Sequence, residues 1–168
     1  MRQVGKSILR NRHVAIGTKL KLFECLIIPV ILHGAGNWDL LPHRLFHSLH
    51  VCIMSWQRSI INDGCWTPNQ HTDFELQCLW KLPPLALRLA KARLLYAFHC
   101  IKSAPSLVVD FMTAVAHQPQ SWFAALCQAL AWLAKMDAQF CPPDLHSSSV
   151  ERILDWFSAQ SFQGPQRV

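Results

Sequence analysis

Residues 83–105 read PPLALRLAKARLLYAFHCIKSAP, and this stretch decides the fold class. Two prolines open it and Pro105 closes it. Proline fits the first turn of a helix and cannot continue one. Between these stops the chain is rich in Leu and Ala, both strong helix formers. Leu85, Leu89, Ala92 and Tyr96 recur at helical spacing, and Arg88, Lys91, Leu95, His99 and Lys102 recur at 3-4-4-3 spacing on another face. One long helix results, apolar on most sides and cationic along one stripe.

The same grammar extends in both directions. Upstream, Thr72-x-x-Glu75 matches the capping box, in which each side chain satisfies the other residue's backbone N–H, so a short helix is expected over 73–81. A helix over about 42–61 is expected to start with Pro42 in its first turn. Leu45, Leu49, Ile53, Trp56 and Ile60 form its apolar stripe, and Asn62-Asp63-Gly64 reads as the turn that follows. Residues 18–33 read as a further helix with Thr18 as N-cap, kinked at Pro29 and ended by Gly34 and Gly36. Downstream, helices are expected over 106–116 and from Pro119 to about 136. Cys141-Pro142-Pro143 follows as a linker, and Ser148-x-x-Glu151 is a second capping box. Strand-like alternation is absent. The expected fold is all-α, an irregular multi-helix bundle with a kinked first long helix.

Composition bounds the function. Of 168 residues, 51% are apolar and 15% charged, which excludes intrinsic disorder. The net charge of +6 is uneven. Residues 1–102 carry thirteen basic and five acidic side chains, whereas 103–168 carry three basic and five acidic. The composition shift near 103 suggests two regions, a basic one over 1–103 and a second over 104–168. A basic front half suits an anionic partner, nucleic acid or an acidic membrane surface. Arg2, Lys6 and Arg10 share one helical face, and Lys19 and Lys21 open the next helix as point charges suited to phosphate. The candidate phosphate contacts are Lys19, Lys21, Arg58, Arg88 and Lys91.

Other chemistries find little material. Metal-dependent polymerase or nuclease chemistry needs clustered carboxylates, and the chain has only ten acids with no two adjacent. Neither a Gly-rich phosphate loop nor a nucleophile elbow occurs. His43, His47 and His50 share a helix face, but Cys52 lies off it and no carboxylate is near in sequence, so half-buried histidines are the preferred reading. No metal and no cofactor is expected. Seven cysteines without a CxxC read as free thiols in a reducing compartment, nuclear or cytoplasmic. The apolar runs 26–32 and 122–136 are too short or too interrupted to span a bilayer.

Residues 18–38, TKLKLFECLIIPVILHGAGNW, carry a further pattern. The string resembles the segment just after the catalytic palm in reverse transcriptases of LINE-type (non-LTR) retrotransposons: a Lys-led apolar helix, a Pro, then Leu-Leu-Tyr-Gly and a Trp. Lys19, Pro29, Leu32, Gly34 and Trp38 match. His33 stands in place of the usual Tyr, and Gly36 stands where an acidic residue is common. Trp56 to Ile61 is similar to the family's second helix, and Leu79 to Leu95 to its leucine-rich continuation. The resemblance covers roughly residues 6–100, and 104–168 match no pattern of the family. It implies a helical thumb and connection region that grips an RNA–DNA or RNA duplex backbone. The paired palm aspartates are missing, so it implies a detached piece that does not polymerise alone and whose natural partner is the absent palm and fingers. The alternative reading is a helical protein-interaction or membrane-surface module without enzymatic activity.

Overall fold

The computed structural model describes residues 9, 11–62, 71–103, 105–115, 118, 120–136, 142 and 150–159. Among them every regular element is helical. Helix α1 spans Ile16–Leu22 and passes through a π-helical turn, Phe23–Ile27, into α2, Ile28–Ile31. A single 3-10 turn, Ala35–Asn37, separates these from α3, His43–Ile61. Helix α4 is Asp73–Leu79, α5 is Leu85–Ser103, α6 is Ser106–Val115, α7 is Trp122–Met136 and α8 is Val150–Ala159. The all-α expectation holds.

The π turn is how the chain accommodates Pro29. A proline ring inside a helix clashes with the carbonyl four residues earlier and offers no N–H to it. Here the backbone widens one turn upstream, and the N–H of Ile28 bonds to the carbonyl of Phe23, five residues back. The wider turn also sets the packing. Leu20, Phe23 and Ile28 are all buried, and the five-residue step from Phe23 to Ile28 keeps both on one face. The disturbance expected at Pro29 thus takes the form of a π-helical turn over Phe23–Ile27.

The N-cap expected at Thr18 is corrected. The helix begins three residues earlier, with Ala15 as N-cap, because the Ala15 carbonyl already accepts from the N–H groups of Thr18 and Lys19 at 3.0 and 3.1 Å. Thr18 thus lies within the first turn. The exit is as expected: Gly34 adopts φ 71°, a left-handed conformation that costs glycine nothing.

Helix α3 matches its expected span, yet its buried face is displaced from the expected stripe. Ile53, Met54, Gln57 and Ile60 are buried, while Leu45 and Trp56 are exposed at 58% and 42%. The Trp56 ring stacks at 6.4 Å on Phe23 instead of entering the core. The capping box of α4 is complete: Thr72 Oγ1 accepts from the Glu75 N–H at 3.2 Å, and the Thr72 N–H donates to Glu75 Oε2 at 2.7 Å. At its other end Lys81 takes φ 53°, the Leu82 N–H reaches the Gln77 carbonyl at 2.8 Å, and the Lys81 N–H reaches that of Cys78 at 3.3 Å. This is a Schellman closure with a lysine where glycine is favoured.

The chain forms two compact units. The first is Met1–His33 with Leu41–Leu87, and the second is Gly34–Leu40 with Arg88–Val168. The division falls at Leu87–Arg88 inside α5, well before the composition shift near 103. Leu20, Phe23, Ile53, Ile60, Leu76 and Leu82 are buried in the first unit. In the second, Ala97, Trp122, Phe123, Leu126, Leu130 and Ile153 form one apolar cluster, with Leu94, Tyr96, Ile101, Cys127 and Trp156 packed around it.

Candidate nucleic-acid interface

Within the second unit, α5 turns its row of Leu89, Arg93, Ala97 and Cys100 inward, all buried. A helix that buries one row must present the opposite one. That row is the cationic stripe: Lys91, Leu95, His99 and Lys102 are exposed and Arg88 is half-buried. From Arg88 to Lys102 it runs about 21 Å at the helical rise of 1.5 Å per residue. The Lys102 ammonium sits 4.5 Å above the centre of the Phe98 ring one turn back, a cation–π contact that holds the charge near the helix surface. Leu95, 56% exposed, interrupts the charges at the middle of the row.

The first unit treats its three candidate cations differently. Lys21 is exposed on α1. Lys19, expected beside it as a phosphate contact, is 0% exposed, and this expectation is corrected. Two residues along a helix turn a side chain through about 200°, so the step that exposes Lys21 drives Lys19 into the interior. Arg58, on α3, is committed within the protein: its guanidinium donates to Asp73 Oδ1 at 2.5 Å, while His50 Nε2 lies 3.0 Å from Asp73 Oδ2. Arg58 keeps 22% of its side chain exposed and so is a shared rather than a dedicated contact. Arg2, Lys6 and Arg10 lie outside the described residues.

Residue spacing does not reveal the His50–Asp73–Arg58 cluster, whose members sit on two different helices, α3 and α4. Partial burial pushes the Asp73 carboxyl up, but the hydrogen bonds and charges of Arg58 and His50 outweigh this and hold it below its ordinary 3.8. Glu75 is also held low, by the backbone and side-chain hydrogen bonds of Thr72. The three histidines of α3 do not converge. The rings of His43 and His47 stack with centroids 6.3 Å apart, and His50 is turned to Asp73. Among the described residues no group of three or more metal-ligating side chains comes together. Cys25, Cys52, Cys78, Cys100 and Cys127 are free thiols. No described helix is long and apolar enough to cross a membrane.

Gly36 is explained by packing. A Cβ built there would stand 2.6 Å from Tyr96 Cβ and 2.9 Å from the Ala92 carbonyl oxygen. An acidic side chain, common at this position in the LINE-type pattern, has no room. The close approach also lets the Trp122 indole N–H donate to the Gly36 carbonyl, with Tyr96 packed edge-on to Trp122 at 5.7 Å. No family model, no curated protein and no solved structure matches this chain.

Proposed function

We propose that this chain is a catalytically incomplete, thumb-like helical piece similar to the post-palm region of LINE-type reverse transcriptases, and that it binds nucleic-acid backbone without reading sequence. The observation that carries the proposal is the row of exposed Lys91, His99 and Lys102 with half-buried Arg88 on α5, opposite a fully buried row. Lys21 adds an exposed charge in the first unit, and Arg58 adds a partial one. Cations on a rigid helix position phosphates and carry no base code, so the partner is a backbone, RNA–DNA or RNA duplex, rather than a particular site. The palm and fingers of a parent polymerase would be its protein partner. Nothing in this reading supplies turnover: primer extension above a mock purification, with magnesium or manganese, would overturn it.

The test is a fluorescence-anisotropy salt titration on an RNA–DNA duplex. Each phosphate contact contributes a slope of ~0.9 in log affinity against log salt, so three contacts weaken binding by about forty-fold between 50 and 200 mM salt. Absence of salt-sensitive binding at 50 mM would sink the proposal. One observation favours the rival module. On α6, Leu107 and Phe111 lie one turn apart and are 75% and 66% exposed. Flotation with neutral vesicles, lost in the Leu107→Ser, Phe111→Ser double variant, would support a membrane-surface role instead.

A further inference from the structure

Arg93, in the second unit, carries a charge that its surroundings do not balance. It is 6% exposed, within the buried row of α5 between Leu89 and Ala97. A guanidinium offers five N–H donors. One of its terminal nitrogens reaches the Asp39 carbonyl oxygen at 3.4 Å, a long contact, and Nε has no acceptor. No carboxylate among the described residues pairs with it. Burial pushes its pKa down, as expected for a cation removed from water without a counter-charge. Buried charges in folded proteins are paired, and an arginine fork matches a carboxylate or phosphate in the bidentate sense. The segment that crosses Arg93 is fixed in place. The Leu40 N–H donates to the Gln120 carbonyl at 3.2 Å, and Gly36 is tied to Trp122. Asp39 itself is exposed, and Arg93 keeps 6% of its own surface open to solvent.

We propose that Arg93 anchors a small-oxyanion site in the second unit, taking one carboxylate or phosphate group on the unpartnered edge of its guanidinium. The site is separate from the cationic stripe, because Arg93 lies on the opposite side of α5 from Lys91.

The experiment is thermal unfolding of the full chain with potassium phosphate, or potassium acetate, replacing potassium chloride at constant ionic strength. The wild type is expected to show a saturable rise in Tm with at least one of the two oxyanions, and whichever acts identifies the group bound. Arg93→Met abolishes the rise. It is expected to fold, because it removes an unbalanced buried charge while keeping an apolar stem. Arg93→Lys keeps the charge without the fork and weakens the oxyanion effect several-fold, and it carries the test if the Met variant does not fold. The triple variant Arg88→Gln, Lys91→Gln, Lys102→Gln retains the oxyanion effect. A wild type without a saturable rise, an Arg93→Met protein that keeps the rise, or a triple variant that loses it each overturns the proposal.

Discussion

At the scale of single residues, two lysines two positions apart have opposite duties. Lys21→Ala is expected to leave the stability within about 0.5 kcal/mol of wild type, as surface changes do, and to weaken duplex binding at 50 mM salt. Lys19→Ala removes a fully buried side chain and its packing, so it is expected to cost about 1–3 kcal/mol. Denaturant melts set beside anisotropy separate the two effects. Equal effects of both variants on affinity, with neither changing stability, would refute the assignment. Asp73 gives a pH signature. Its folded pKa lies below the ordinary 3.8, so the stability it contributes is complete above that value and is lost as the pH falls through the folded one. Its side chain is 41% exposed and water screens the pairs, so Asp73→Asn should cost only about 0.5–1 kcal/mol at pH 7. The cost should shrink below pH 3.8, and a pH-independent difference between the two proteins would contradict this account. The identity of a cation was legible from the sequence in each of these cases. Its availability was not, because burial of Lys19 and engagement of Arg58 are set by helices distant along the chain.

At the scale of elements, punctuation was what the sequence made readable. Pro42, Thr72 with Glu75, Pro83-Pro84 and Pro105 act on the backbone within a turn of themselves, and the helices they bound lie where those residues imply. The π turn was illegible for the complementary reason. Pro29 announces a disturbance, but its location depends on keeping Phe23 and Ile28 on one face, a demand made by the packed interior. Likewise Trp56 belongs to the apolar stripe by spacing and is exposed in fact, since Met54 and Gln57 lie on the buried face instead. The Schellman closure offers a test at this scale. Exposed Lys81 holds a left-handed φ that costs a non-glycine residue ~1 kcal/mol, so Lys81→Gly should raise stability by roughly 0.5–1 kcal/mol. Thr72→Ala, which removes the cap of α4, should lower it by about 1 kcal/mol. A destabilised Lys81→Gly protein would mean that the lysine side chain contributes more than its backbone costs. Gly36→Ala should be the most disruptive of the three, at about 1–3 kcal/mol, because its Cβ would meet both the Tyr96 side chain and the Ala92 backbone.

At the scale of the whole molecule, charge and core divide along the chain. If the exposed row of α5 carries polyanion binding, the Lys91→Ala, Lys102→Ala pair should flatten the salt slope by ~2 units and weaken binding equally on duplexes of different sequence. Lys135→Ala with Arg152→Ala should leave the slope unchanged, and identical behaviour of the two pairs would mean diffuse attraction. The placement of thiols has another use. Cys25, Cys52 and Cys78 are exposed in the first unit, whereas Cys100 is buried and Cys127 half-buried in the second, with the Cys127 thiol pushed up by its burial. A thiolate attacks a disulfide reagent and a protonated buried thiol does not. The first three should therefore be modified at once by an aromatic disulfide, while Cys100 and Cys127 wait for the second unit to open. Peptide mapping of the slow phase then times the breathing of one half of the molecule without a mutation or a bound ligand.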